Sequence, residues 1–165
     1  GPDYSSQVAD YFFDKEKGFF FDRRLKDGSF IQEPGCEAYT PLWTKVATAD
    51  QVKAMLPLLT DTAKFSTYIP FPTVAADHPK YNPRGYWRGP IWLDQTYFAI
   101  RGLRNYGYNK MADEYTLQVF DRLQGLKEGA PIPENYGTHT GELLKAPHFS
   151  WSSSHLLMLY DDYGK

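Results

Sequence analysis

The chain has 165 residues and a net charge of -2, with 42% hydrophobic and 17% aromatic residues. This length fits one domain with a substantial core, and high aromatic content at ordinary charge argues against disorder. The mixed charge gives no electrostatic reason to expect nucleic acid or an anionic membrane as a partner. A single cysteine, Cys36, excludes an internal disulfide, and no apolar run approaches the roughly 20 residues of a membrane span.

The N-terminal third predicts a helix, a hairpin and a second helix. Residues 4–13 have helical spacing, and residues 18–22 form an extended piece that is followed by a turn at Gly28. We therefore expect a small hairpin or a pair of loops here. Thr48 and Gln51 have the spacing of a capping box. They precede apolar residues at helical spacing, namely Val52, Met55, Leu56 and Leu59.

The rest of the chain predicts three more helices. Residues 91–106 are apolar on most faces, which is typical of a buried helix, whereas residues 110–126 carry one apolar stripe and one charged face. The turn at Gly107 between them predicts an αα-hairpin of an inner and an outer helix. A last helix is expected over residues 150–160, and long aromatic loops precede the inner helices. The chain is therefore predicted to be all-α, with hairpins of the kind that build an α/α toroid.

Aromatic and charged residues concentrate in residues 81–92, whose sequence is Tyr-Asn-Pro-Arg-Gly-Tyr-Trp-Arg-Gly-Pro-Ile-Trp. Proline and glycine fix the turns of this segment, while Trp and Arg suit flat, hydroxyl-rich partners. Trp87, Trp92 and Trp151 lie beside the starts of inner helices, where they either belong to the core or form a platform for a sugar ring. We interpret the segment as the wall of a binding site.

Two charged residues near this wall have both a structural and a functional interpretation. Arg88 either pairs with an acid such as Asp94 to hold the helix start, or it contacts a substrate hydroxyl or orients a carboxylate. Asp94 lies in the first turn of the inner helix, where the helix dipole favours a carboxylate. It is therefore a candidate cap as well as a candidate substrate-binding residue.

Two loop carboxylates are candidates for chemistry. Glu134 follows Pro133 and precedes an Asn-Tyr pair. A proline-stiffened loop can hold a carboxylate in one pose, as a general base requires; the alternative is a solvated loop side chain. Glu37 is a candidate substrate ligand, with a surface role as its alternative. The four histidines lack metal-ligand spacing and no cofactor motif is present, so we expect neither a metal nor a cofactor.

Seven motifs occur in a specific order along the chain. They are Gly18-Phe-Phe-Phe-Asp22, Glu37-Ala-Tyr-Thr-Pro-Leu42, Gly85-Tyr-Trp-Arg-Gly-Pro-Ile-Trp92, Arg101-Gly-Leu-Arg-Asn-Tyr-Gly107, Glu134-Asn-Tyr136, Thr140-Gly-Glu142 and Phe149-Ser-Trp151. In this order they resemble the C-terminal half of the catalytic domain of glycoside hydrolase family 63, the family of processing α-glucosidase I and its bacterial relatives. The resemblance covers nearly all of residues 1–165.

The resemblance implies an (α/α)6 barrel, of which this chain would be an incomplete C-terminal portion. It implies hydrolysis of α-glucosidic bonds in oligosaccharides with inversion, with Glu134 as the general base that activates water. The bacterial relatives favour a periplasmic location. The residues implied to line the glucose-binding subsite are Trp87, Arg88, Trp92, Tyr136 and Trp151.

The family's general acid is an aspartate on a loop well upstream of the Gly18 motif, so the resemblance places that acid outside this chain. We therefore expect the remaining N-terminal part of the same enzyme as a partner. One hypothesis is that the chain is the base-bearing part of an inverting α-glucosidase. The alternative is an inactive excised or engineered fragment, a scaffold or carbohydrate-binding piece that assembles with the other half.

Overall fold

The computed structural model describes residues 4–145 and 150–165, which are mostly helical. Within these ranges six α-helices alternate with loops and two very short antiparallel ladders. The helices are α1 (Ser5–Phe12), α2 (Thr40–Trp43), α3 (Ala49–Leu59), α4 (Leu93–Asn105), α5 (Asn109–Arg122) and α6 (Ser150–Asp162). The strands are β1 (Phe13–Asp14), β2 (Phe19–Phe20), β3 (Asn135–Tyr136) and β4 (Leu143–Leu144). None of the described helices is long and apolar enough to span a membrane.

The capping box before α3 is confirmed. The Thr48 side chain accepts a hydrogen bond from the backbone N of Gln51 at 3.1 Å, and the Gln51 side chain accepts one from the backbone N of Thr48 at 2.9 Å. These bonds satisfy two backbone donors that a helix start leaves unpaired. The helix continues through Pro57 to Leu59, and its predicted apolar stripe is buried at Val52, Met55 and Leu59.

The predicted hairpin near the N-terminus is present as β1 and β2, which pair antiparallel. Its phenylalanines enter the core: Phe13 pairs with Phe20, and the ring of Phe19 stacks on that of Phe65 with centroids 5.3 Å apart. The aromatic content of the chain is thus partly accounted for by core packing.

Helices α4 and α6 run side by side in the same direction. In the first half of each helix the rings of Tyr97 and His155 lie 5.8 Å apart, and further along both helices Arg101 forms an ion pair with Asp162 at 3.3 Å. The matching order of these contacts along both helices indicates a parallel arrangement. The loops that precede α4 and α6 therefore lie at the same end of this layer.

Helix α2 belongs to the same layer and packs tightly on α4. The side-chain amide of Asn105 donates to the carbonyl of Trp43 at 3.0 Å, and the ring of Trp43 stacks on Phe98 at 4.2 Å. A Cβ added to Gly102 would lie 2.4 Å from Cβ of Leu42 and 3.1 Å from its backbone carbon. The lack of a side chain at Gly102 is therefore what allows the two helices to approach.

The predicted αα-hairpin is confirmed in α4 and α5, which pack against each other. Arg104 of α4 reaches Asp113 of α5 at 2.8 Å, and Gly107 turns the chain with φ 88°. An inner layer of α2, α4 and α6 with α5 behind it agrees with the predicted inner and outer helices. A closed barrel is not formed by the described residues.

Two predicted boundaries are wrong. Helix α4 begins at Leu93, not at residue 91, because the backbone N and O of Ile91 are hydrogen-bonded to Tyr136 instead of to the helix. Helix α5 ends at Arg122, not at residue 126, because Leu123 has an extended backbone. The loop between α5 and α6 also contains the β3–β4 hairpin, which was not predicted from the sequence. The all-α prediction therefore holds only as a mostly helical fold.

We predict that Gly102→Ala destabilises the protein. In an exposed helix this change stabilises by up to about 1 kcal/mol, but here the new methyl group meets the backbone of α2. Overpacking of this kind costs about 1–3 kcal/mol. Urea unfolding measures the effect. The control is Lys53→Ala at an exposed position of α3, whose free energy of unfolding is expected within about 0.5 kcal/mol of the parent. An equal or higher midpoint for Gly102→Ala would contradict the proposed close contact.

Candidate active site

The loop that leads into α4 is held in place by hydrogen bonds to its backbone groups. The amide of Asn82 donates to the carbonyl of Arg88 at 2.6 Å, and the amide of Gly89 donates to the Thr73 hydroxyl at 3.0 Å. The Thr138 hydroxyl donates to the carbonyl of Gly89 at 2.5 Å. Gly89 has φ 157°, and a Cβ there would lie 2.6 Å from the Asn82 carbonyl oxygen, which is why glycine is required. The loop is a fixed structure despite its exposed side chains.

Three aromatic side chains of this loop form one cluster. Trp87 and Trp92 stack face to face with centroids 4.1 Å apart at an interplanar angle of 6°. The ring of Tyr86 meets Trp92 edge-on at 4.7 Å, and the indole N–H of Trp92 donates to the Tyr86 carbonyl at 2.6 Å. Trp92 is 5% exposed and Trp87 is 47% exposed. Trp92 is therefore the buried support, and Trp87 presents an aromatic surface to solvent.

Glu134 lies beside this aromatic cluster. Its Oε1 accepts a hydrogen bond from the phenol of Tyr86, and its backbone carbonyl accepts one from the Ser152 hydroxyl of α6 at 3.1 Å. Two residues further on, Tyr136 pairs with Ile91 through backbone bonds of 2.8 and 3.0 Å. The candidate base and the aromatic loop are thus joined through both backbone and side chains.

The pKa of the Tyr86 phenol depends on the Glu134 carboxylate. The hydrogen bond to Glu134, together with some burial and the negative charge, raises the pKa of Tyr86 above its ordinary value. The phenol consequently stays protonated and remains a donor throughout the neutral range. Tyr86 was not among the candidate site residues of the sequence analysis, although it lies within the motif that carries Trp87 and Arg88. The contact of Ser152 with Glu134 was also missed, because only the fold brings these two residues together.

The other predicted substrate-binding residues take different places. Arg88 is exposed, and its side chain makes no hydrogen bond or ion pair within the described part of the chain, so the alternative pairing with Asp94 is not observed. Asp94 accepts a bond from the backbone N of Gln95 at 2.8 Å, in agreement with a capping role. Trp151 is 54% exposed at the start of α6, where its ring meets His155 at 4.7 Å.

Tyr136 has a structural place. Its side chain is 1% exposed within the hydrophobic core, and burial raises its pKa to about 12. The structure thus places the Tyr136 side chain in the core, and its predicted contact with a sugar stays a prediction. The backbone of Tyr136 contributes to the site, because the pairing with Ile91 fixes the Glu134 loop. Phe149, part of the same predicted motif as Trp151, lies outside the described residues.

Glu37 faces a separate cavity of about 180 Å³. Burial raises its pKa from 4.5 to about 7, with smaller contributions from the negative charges of Asp22 and Glu33. The side chain is thus a carboxyl group that titrates near neutrality in an apolar surrounding. The cavity is lined by Phe12, Phe20, Phe21, Asp22, Glu37, Thr40 and Pro41.

The part of the chain that the structure describes contains no cluster of three or more His, Cys, Asp or Glu side chains that could hold a metal ion. The site brings together a carboxylate, a phenol and aromatic faces. This set suits the binding of a sugar ring and the activation of a water molecule.

We predict opposite pH dependences for two glutamates. The folded-state pKa of Glu37 is raised, so its contribution to stability is present below about pH 4.5 and is lost as the pH rises to about 7. Relative to Glu37→Gln, the free energy of unfolding of the parent should fall by up to about 3 kcal/mol over this pH range. The pKa of Glu33 is lowered by its bond from Lys80. Relative to Glu33→Gln, the free energy of unfolding of the parent should therefore rise with increasing pH. Urea unfolding at several pH values measures both, and parallel curves for parent and Glu37→Gln would refute the assignment.

Comparison with known proteins gives a consistent result. Residues 3–152 match the model of the mannosylglycerate hydrolase MGH1-like glycoside hydrolase domain. The chain is 28% identical over 143 residues to the mannosylglycerate hydrolase of Thermus thermophilus, covering 86% of this chain and 33% of that protein. It is 26% identical over 145 residues to mannosylglycerate hydrolase MGH1 of Selaginella moellendorffii, covering 88% of this chain and 29% of the relative.

Solved structures agree on the fold. A GH63 mannosylglycerate hydrolase of Thermus thermophilus, in complex with glucose, superposes with a TM-score of 0.78 at 23% identity, over 94% of this chain and 38% of that one. Neutral trehalase Nth1 of Saccharomyces cerevisiae superposes with a TM-score of 0.76 at 20% identity, over 98% of this chain and 29% of that one. The chain spans about a third of the length of the curated relatives it matches. The described residues form a mostly helical, partial domain, and the chain belongs to the mannosylglycerate hydrolase MGH1-like glycoside hydrolase family, within glycoside hydrolase family 63.

Proposed function

We propose that this chain supplies the general base, Glu134, of an inverting glycosidase that acts on a small α-linked hexoside. The observation that carries this proposal is the position of the Glu134 carboxylate, held by Tyr86 beside the stacked pair of Trp87 and Trp92. A carboxylate that is fixed next to an aromatic face can activate a water molecule above a stacked sugar ring.

The mechanism follows from the geometry of the carboxylate. Oε1 of Glu134 is occupied by Tyr86, so Oε2 is the oxygen that accepts a proton from water. The water attacks the anomeric carbon on the face opposite to the leaving group, which inverts the configuration. A carboxylic acid about 6.5–9.5 Å from Glu134 protonates the departing oxygen. We assign this acid to the remaining part of the enzyme.

The preferred substrate is a hexosylglycerate. The relatives with this domain are named for mannosylglycerate hydrolysis, and mannosylglycerate carries a carboxylate on its aglycone. The exposed guanidinium of Arg88 follows Trp87 directly and has no partner among the described residues. An arginine can bind a carboxylate in a bidentate manner. Arg88 is therefore the proposed ligand of the glycerate group.

A neutral α-glucoside is the second candidate substrate, as the resemblance to the processing α-glucosidases implies. The observation in its favour is that the solved structure of the Thermus enzyme is in complex with glucose. A glucose ring presents an apolar face that suits Trp87 in the same way as mannose does. The two candidates differ mainly in the charge of the aglycone, so Arg88 distinguishes them.

The remaining N-terminal part of the same enzyme is the proposed protein partner. Three apolar or aromatic side chains of the first helical turns, Tyr4, Val8 and Tyr11, are each more than 50% exposed. A second apolar groove, of about 480 Å³, lies between α5 and α6, where Leu157 and Tyr160 are 69% and 73% exposed. Apolar surface of this extent is typical of a face that packs against further helices, here those that complete the barrel.

We predict that Glu134→Gln lowers kcat by about 100-fold to 10,000-fold, because the amide cannot accept the proton of the attacking water. The measurement is release of mannose or glucose from the α-glycoside by the chain assembled with its remaining part. Proton NMR should show the β-anomer as the first product of the parent. The matched control is Glu142→Gln, a nearby carboxylate paired with Arg84 at 3.5 Å.

Three outcomes would contradict the proposal. Activity retained in Glu134→Gln would reject Glu134 as the base, and an α-anomer as the first product would reject inversion. Sugar binding without any turnover by the assembled parent enzyme would support the alternative of an inactive carbohydrate-binding fragment.

We predict that Arg88→Gln raises KM for mannosylglycerate by about 10-fold, since a charge-assisted contact is lost, while KM for a neutral α-glucoside changes little. Arg84→Gln is the matched control, because Arg84 is also exposed in this loop but already pairs with Glu142. Equal effects of Arg88→Gln on both substrates would remove the charge argument and favour the neutral glucoside.

A further inference from the structure

We infer that Tyr86 is a positioning residue for Glu134, whose phenol holds one carboxylate oxygen and leaves the other free for the attacking water. This inference rests on the proposed role of Glu134 as the base. It extends that role to Tyr86, which was not among the predicted site residues. It starts from the hydrogen bond that Tyr86 donates to Oε1 of Glu134.

Tyr86 is well suited to hold another side chain because it is itself held at two points. Its carbonyl accepts the indole N–H of Trp92 at 2.6 Å, and its ring meets that of Trp92 at 85°. Trp92 is 5% exposed and immediately precedes α4. The phenol is therefore anchored to a buried support at the start of an inner helix, although Tyr86 itself is 39% exposed.

Glu134 has a fixed backbone but a carboxylate that needs a side-chain partner. Its backbone is held by the Ser152 hydroxyl and by the pairing of Tyr136 with Ile91. Within the described residues, the hydrogen bond to the carboxylate comes from Tyr86. A glutamate has three rotatable side-chain bonds, so backbone anchoring alone leaves the position of its oxygens undetermined. The phenol removes this freedom.

The electrostatics of the pair agree with this role. The hydrogen bond to Glu134, and to a lesser degree the negative charge of this carboxylate, raise the pKa of Tyr86, so the phenol remains a donor in the neutral range. The bond therefore holds the Glu134 carboxylate in one orientation. Arg88 and the Arg84–Glu142 pair are the other charged groups of this surface, and they are not among the causes of the Tyr86 shift.

The contact is tested first on this chain alone. Carbon-13 labelling of the tyrosine rings gives NMR titration curves for individual phenols, and Tyr86→Phe identifies the Tyr86 signal. In Glu134→Gln the pKa of Tyr86 should fall towards its ordinary value of 10.0, because the hydrogen bond to the carboxylate and the negative charge, which both raise it, are removed. An unchanged Tyr86 titration in Glu134→Gln would overturn the inference.

The catalytic consequence is tested in the enzyme assembled with its remaining part. Tyr86→Phe should lower kcat by about 10-fold to 100-fold, the value of a hydrogen bond to a charged group, with KM nearly unchanged. The control is Tyr68→Phe, since Tyr68 is similarly exposed at 44% and lies against Arg122, away from the site.

The outcomes separate this inference from the proposed function. If Glu134→Gln is inactive while Tyr86→Phe behaves like Tyr68→Phe, the base assignment stands and the positioning role is wrong. If Tyr86→Phe changes KM alone, Tyr86 contacts substrate and the positioning role is also wrong. If Glu134→Gln remains active, the proposed function itself fails.

Discussion

The backbone pairing of Ile91 with Tyr136 is the constraint on which the site depends. Its two hydrogen bonds, of 2.8 and 3.0 Å, join two loops that are distant in sequence, and both residues are buried, so breaking them would leave unpaired polar groups in the core. Glu134 lies two residues before Tyr136, and Tyr86 lies five residues before Ile91. The backbone pairing therefore brings the two loops together, and the hydrogen bond from Tyr86 then fixes the Glu134 carboxylate within that frame.

The inner helices explain why such a pairing is possible. Because α2, α4 and α6 lie side by side and α4 and α6 are parallel, the loops before α4 and α6 meet at one end of the layer. Gly102 allows the close approach of α2 and α4, and Ser152 links the start of α6 to the Glu134 loop. Reactive groups thus lie on loops while rigid helices fix the positions where those loops begin, which is a common division between scaffold and function.

What the sequence predicted correctly was mostly local. The capping box of Thr48 and Gln51, the turn at Gly107 and the αα-hairpin each depend on residues a few positions apart. The errors concern contacts between distant segments. Ile91 was assigned to a helix because its apolar pattern cannot reveal that its backbone pairs with another loop. The burial of the Tyr136 side chain, which follows from the same pairing, was likewise not visible in the sequence. Tyr86 and Ser152 were missed because hydrogen-bond partners across loops leave no periodic signal.

The structure also separates the proposed chemistry from the proposed choice of substrate within one short loop. Tyr86 is turned towards Glu134, whereas Arg88, two residues on, has no partner among the described residues and stays solvated. An exposed arginine costs little when no ligand is present, yet it can favour an acidic aglycone over a neutral one when both carry the same hexose. If Arg88 binds the aglycone as proposed, a substitution there changes the preference for an acidic aglycone while the hydrogen bond between Tyr86 and Glu134 is kept.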